Sequence, residues 1–104
     1  MIYMNIHQPS YFSLFDVHSP PSDWSSSEFI EALHILSRFT RDELQEIVEE
    51  IFPDEISFQF PLSTRTLLVQ VFAYYSPKSF YHSVHSEKGV LGSRLQDKLL
   101  FTSH

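Results

Sequence analysis

Residues 39–52, FTRDELQEIVEEIF, leave little choice of local structure. Leu44, Ile47, Val48, Ile51 and Phe52 fall at i, i+3, i+4, i+7 and i+8, the spacing of one buried face of an α-helix. Thr40 followed by Glu43 is a capping box: the hydroxyl accepts the amide three residues on, and the carboxylate reaches back to the amide of the cap. Pro53 ends the helix, because it cannot donate to the next turn and its ring crowds the preceding one.

The same grammar recurs along the chain. Ser25 and Glu28 open a second capping box ahead of EFIEALHILSRF, where Phe29, Ile30, Leu33 and Leu36 share a stripe. Ile35 falls roughly opposite Leu33, so it is either covered by the aromatic N-terminal segment or presented to a partner. Ser63 caps TRTLLVQVFAYY, whose apolar residues spread over more than half the circumference and predict a central helix. Ser76 followed by Pro77 starts PKSFYHSVHSEK, with Phe80, Tyr81 and Val84 facing inward and Gly89 as the residue just past its end. Gly92 or Ser93 begins a last helix, RLQDKLLF, with Leu95 and Leu99 on one side. Between the second and third helices, DEISFQFPLS predicts an extended connector packing Ile56, Phe58 and Phe60.

These elements predict one all-α domain, a compact bundle of five or six short helices over residues 23–104. Residues 1–22 form an aromatic N-terminal segment and a proline linker. MIYMNI is a short strand or lies on the core, YFSLFDV is too apolar to be a free tail and is expected to dock in part, and Pro20 and Pro21 interrupt any helix. At 104 residues the chain has enough material for one core without staples. The absence of cysteine removes disulfides and thiolate metal sites and is compatible with a reducing cytosol, the expected location. The sequence holds no apolar run of membrane-spanning length, and the first ten residues lack the basic and apolar regions of a secretory signal.

Charge is unevenly placed. The net charge is −6, which argues against binding nucleic acid through phosphates. Residues 23–55 carry ten acids against Arg38 and Arg41, whereas residues 56–104 carry five bases against Glu87 and Asp97. If the two parts fold onto different sides, the surface is electrically two-faced and can steer a partner. Glu49 and Glu50 stand near the C-terminal end of their helix, where the macrodipole disfavours them. They are either a merely solvated face or a surface kept acidic for use.

Catalytic signatures are missing. Gly89 and Gly92 do not form a phosphate-binding turn, and no G-x-S-x-G elbow occurs. His82 and His85 share a helical face at i and i+3, but no H-E-x-x-H pattern supports a metal, so two exposed histidines are expected. His34 reads as a boundary residue of its helix. Glu46 and Glu50 lie on a helix exterior without an apolar wall to shift a pKa. No enzyme activity, cofactor or metal is expected.

The run FIEALHILSRFTRDELQEIVEEIFPDE resembles the front half of the bacterial effector-associated domains, small death-fold-like helical modules. The matching positions are Phe29, Ala32, Leu33, Phe39, Thr40, Glu43 and Leu44, and the similarity extends over roughly residues 26–85. The resemblance implies an adaptor that gathers effectors such as proteases or signalling ATPases in bacterial conflict systems by pairing like with like. On that reading Asp42, Glu43, Glu46, Glu49 and Glu50 dock on Lys78, Lys88, Arg94 and Lys98 of another copy or a related domain. The alternative is a small acidic inhibitor, immunity protein or chaperone covering a basic surface of a partner, which needs the acids only.

Overall fold

Four serine or threonine residues start four helices. In the computed structural model, which describes residues 11–54 and 62–102, the elements are a 3-10 turn at Phe12–Leu14 and five α-helices. These are α1 (Ser26–Leu36), α2 (Arg41–Ile51), α3 (Thr64–Tyr74), α4 (Pro77–His85) and α5 (Val90–Thr102). No strand occurs among the described residues. The predicted strand or core segment at 1–6 and the connector residues 55–61 lie outside them.

Each cap is local chemistry. The Ser25 hydroxyl accepts the Glu28 amide at 3.1 Å, and Glu28 returns to the Ser25 amide at 2.9 Å. Thr40 and Glu43 make the same reciprocal pair at 3.2 and 2.8 Å. Ser63 caps α3 through the Thr66 amide, and Ser76 pairs with Ser79 ahead of Pro77 in α4. Such a cap stabilises a helix by about 1 kcal/mol, so four of them fix where the chain turns before any packing is considered. α1 stops at Leu36, short of the expected end: Ser37, buried, turns its hydroxyl back to the Leu33 carbonyl at 2.7 Å, and the chain tightens so that the Phe39 amide meets Leu36.

Packing gathers Leu33, Leu36, Leu44, Ile47, Leu67 and Leu91 into a fully buried centre. α2 packs on α3 and α5, and α4 packs on α5. A run of edge-to-face rings closes one side: Phe72 lies 4.9 Å from Phe29 and 5.0 Å from Trp24, and Trp24 lies 5.6 Å from Phe80. The stretch from Tyr11 to Val17 lies on this core, with Tyr11 only 4 % exposed and Phe15 edge-on to both Phe29 and Phe72.

Three expectations are corrected. α3, expected to be central, is covered on one face, Leu67, Leu68, Val71 and Phe72, while Val69 and Tyr74 are 40 % and 51 % exposed. Tyr81 faces outward at 59 % exposure, because one turn of α4 can direct only Phe80 fully into the core. Gly89 is not the residue past the end of α4: that helix ends at His85 with Ser86 as its cap, and α5 starts at Val90, before Gly92. Gly89 and Gly92 serve the close approach of α5 to the end of α4 (see Discussion).

The Tyr11 hydroxyl donates to the Phe39 carbonyl, tying the N-terminal segment to the α1–α2 turn. Burial, with a smaller contribution from the nearby Glu43 charge, pushes this phenol up to about 12 from 10.0. A folded-state value above the unfolded one keeps its stabilisation intact below pH 10.0 and removes it as pH climbs toward 12. Tyr11→Phe is expected to cost about 1–2 kcal/mol at neutral pH, by leaving a buried carbonyl without its donor. The variant should also lose less stability than the parent between pH 10 and 12. Urea melts at neutral and alkaline pH check both; equal alkaline losses would show that this phenol is not the group responsible.

Candidate interaction surface

The acids singled out from the sequence stand on the outer face of α2, opposite Leu44, Ile47, Val48 and Ile51. α5 runs beside them. Its Arg94 reaches across and donates to Glu46 at 3.0 Å and to Glu50 at 2.8 Å, clasping two carboxylates one turn apart. Lys98 meets Glu43 at 2.8 Å and stands 5.7 Å over the Phe39 ring. Asp42 pairs with Arg41 at 2.8 Å, and Glu49 accepts from Gln45 at 3.1 Å. Each of the five α2 acids therefore has an intrachain partner.

This arrangement corrects the idea that the two charged sets occupy different sides. Arg94 and Lys98 are basic residues of the second half, yet they lie against α2 because α5 packs there. Lys78 and Lys88 are elsewhere, exposed at the two ends of the α4 region, and make no ion pair among the described residues.

The electrostatics follow from the contacts. Partial burial alone would loosen the proton of Arg94, but the bonds to Glu50 and Glu46 outweigh it and hold the guanidinium charged more firmly still. Burial alone would raise the Glu43 carboxyl; the bonds from Lys98 and Thr40, and the Lys98 charge, win and hold it below the ordinary range. Its contribution to stability is present above that range and is lost as pH falls through the lowered value. Because the pair is open to solvent, the effect is well under 1 kcal/mol.

Arg41 and Gln45 do a separate job that spacing did not indicate. Arg41 Nε donates to the Leu62 carbonyl at 2.7 Å, one of its guanidinium nitrogens donates to Gln45 at 2.6 Å, and Gln45 accepts the Leu62 amide at 3.4 Å. They pin the start of the third helical segment onto α2. An i, i+4 Arg–Gln pair is common on helices, so nothing in the sequence marked it.

A second feature lies on the other side of the molecule. Two clefts of about 560 and 450 Å³ run end to end between α1 and the α4–α5 hairpin, sharing Glu31 and Ile35. Ile35, ambiguous from the sequence, is half-buried here and forms part of both floors. Sequence reasoning missed this groove because its walls come from helices about 50 residues apart in the chain.

His34 and His85 line the second cleft, while His82 is exposed and His85 lies against Tyr81 at 4.1 Å. Among the described residues no three His, Asp or Glu side chains gather in a way that could hold a metal ion. No helix among them is long and apolar enough to cross a membrane. No family model, curated protein or solved structure matches the chain.

Proposed function

We propose that the chain is a non-enzymatic interaction module whose acidic α2 face docks on a basic protein surface. One observation carries this reading. With Arg41, Arg94 and Lys98 all counted against the five α2 acids, the seam keeps a formal charge of −2, and its carboxylates stay accessible: Asp42 is 89 % exposed and Glu46 63 %. Exposed ion pairs contribute only about 0–1 kcal/mol, so a partner's arginines can replace or add to the internal ones without unfolding anything. The adaptor role, in which like domains pair, rests on the resemblance of residues 26–85 to the effector-associated modules.

The internal clasp also supports the second reading. Homotypic pairing needs a basic face on the same chain, and Arg94 and Lys98 are already engaged with their own α2. That leaves Lys78 and Lys88 to supply the complement, whereas an acidic inhibitor, immunity protein or chaperone needs no complement on itself.

Light scattering of the protein and of its Lys78→Glu/Lys88→Glu variant, at low and high salt, separates the two. Under homotypic pairing the parent self-associates at low salt, and the double reversal weakens association by about tenfold. Under the second reading both proteins stay monomeric and bind a basic partner equally, with affinity falling as salt rises. A monomer at every salt concentration that binds no basic protein refutes both.

A further inference from the structure

The groove between α1 and α4 is a different surface from the α2 seam, and it combines features that a solvated cleft does not need. Its floor is apolar: Trp24, Ala32, Ile35, Phe80, Val84 and Leu95. From Glu28 to the end of α1 at Leu36 it follows the helix for about 12 Å, at 1.5 Å per residue, with Arg38 just beyond. That is a little over two helical turns of about 5.4 Å.

Its rim is acidic. Asp23, Glu28, Glu31 and Glu87 border it against Lys78 and Arg38, a formal −2 with the histidines neutral. Glu31 stands at the middle, where the two clefts join. Tyr81, 59 % exposed, forms the lip of the larger cleft and is backed by His85. A large, outward aromatic over an apolar floor is the usual anchor of a protein contact.

The third observation is an unmet bond. Trp24 is 6 % exposed and lines the larger cleft, and its indole Nε1 is the one buried side-chain donor without an acceptor among the described residues. Buried donors are satisfied in nearly all native structures, which makes this one an exception. The nitrogen itself is covered, so Trp24 serves the groove as part of its wall.

We propose that this groove receives a basic amphipathic helix of a partner protein, its apolar face on Ala32, Ile35 and Val84 and its cationic flanks against Glu31, Glu28 and Glu87. A helix offers apolar residues at i, i+3, i+4 and i+7 to such a groove, and lysines on its flanks meet the acidic rim. The inference deepens the interaction-module reading by naming a second, independent surface and its partner class.

Trp24 is the sole tryptophan and reports on the groove directly. The probe is a helical peptide of roughly 12 residues, free of tryptophan and tyrosine, with leucines on one face and lysines on both flanks. The 104-residue chain is expected to show a saturable change in Trp24 emission with this peptide. A peptide with glutamates in place of the lysines is expected to bind at least about tenfold more weakly. Tyr81→Ala and Glu31→Lys, both at exposed positions, should each weaken binding several-fold, while Glu49→Lys on α2 leaves it unchanged. No saturation up to about 1 mM, equal binding of the acidic peptide, or indifference to Tyr81→Ala overturns the proposal. So does a dimer that Tyr81→Ala dissolves, which would make the occupant a second copy. Lys78 borders the groove as well, so the α2 seam is tested separately by Lys88→Glu and Glu49→Lys, neither of which lines the groove, and either surface can fail while the other stands.

Discussion

Phe72→Ala is expected to lower stability by about 3–5 kcal/mol, the range for removing a buried aromatic. Phe72 is the ring on which the aromatic side of the core converges: Phe29, Trp24 and Phe15 all meet it edge-on, at 4.9, 5.0 and 6.3 Å. Each such pair contributes about 0.5–1.5 kcal/mol beyond the area it buries, and alanine removes all three together. A loss of that size is a large share of the roughly 5–15 kcal/mol that holds a small domain together. The melting temperature of a domain of this length should fall by about 15 °C or more. Urea and thermal melts, followed by Trp24 emission, report the result. The consequence reaches the N-terminal segment, since Phe15 reaches the core through Phe72 and Phe29. A loss below about 1 kcal/mol would mean that the neighbouring rings collapse into the space and that no single ring organises this side.

Gly92→Ala is the prediction whose sign depends most on the tertiary structure. Gly92 is inside α5, where alanine is favoured over glycine by about 1 kcal/mol on helix propensity. Yet a methyl group there would lie 2.0 Å from the Ser86 carbonyl oxygen and 2.8 Å from those of Ser83 and Val84. These are backbone atoms at the end of α4 and cannot swing aside. To admit the methyl, α5 must lift from α4, and this breaks the bond from the Leu91 amide to the Ser83 hydroxyl at 3.2 Å and uncovers Leu91, which is fully buried. The expected cost is about 1–3 kcal/mol or more, the range for overpacking a close contact. Gly89 is placed in the same way: a methyl group there would lie 2.4 Å from the Ser83 carbonyl oxygen, so Gly89→Ala should also destabilise. Asp97→Ala, at an exposed position of the same helix, is the control and should change stability by no more than about 0.5 kcal/mol. Chemical denaturation of the three variants decides the matter; a Gly92→Ala protein as stable as the parent would show that the helices are not in contact at this point.

The groove and the acidic seam show why spacing alone placed the charges imperfectly. On α2 the carboxylates at positions 42, 43, 46, 49 and 50 were visible as one acidic surface, and they are one. Their partners were not visible. Arg94 is 44 residues from Glu50 and 48 from Glu46 in the chain, and no periodicity links them. The α1–α4 groove likewise depends on how far two helices diverge, which follows from side-chain packing in the layer beneath them.

What the sequence determined was local. The capping pairs span three residues, the apolar stripes repeat within two turns, and Pro53 and Pro77 act on their own backbone, so all were legible as written. Only the tertiary structure decided which helix faces remain open, which cations neutralise which acids, and that two glycines serve contact between helices and not the end of one. Those outcomes depend on distances between segments far apart in the chain. Such distances are set by close packing of Phe, Leu and Trp side chains, an interaction without direction and hence without a mark in the order of residues.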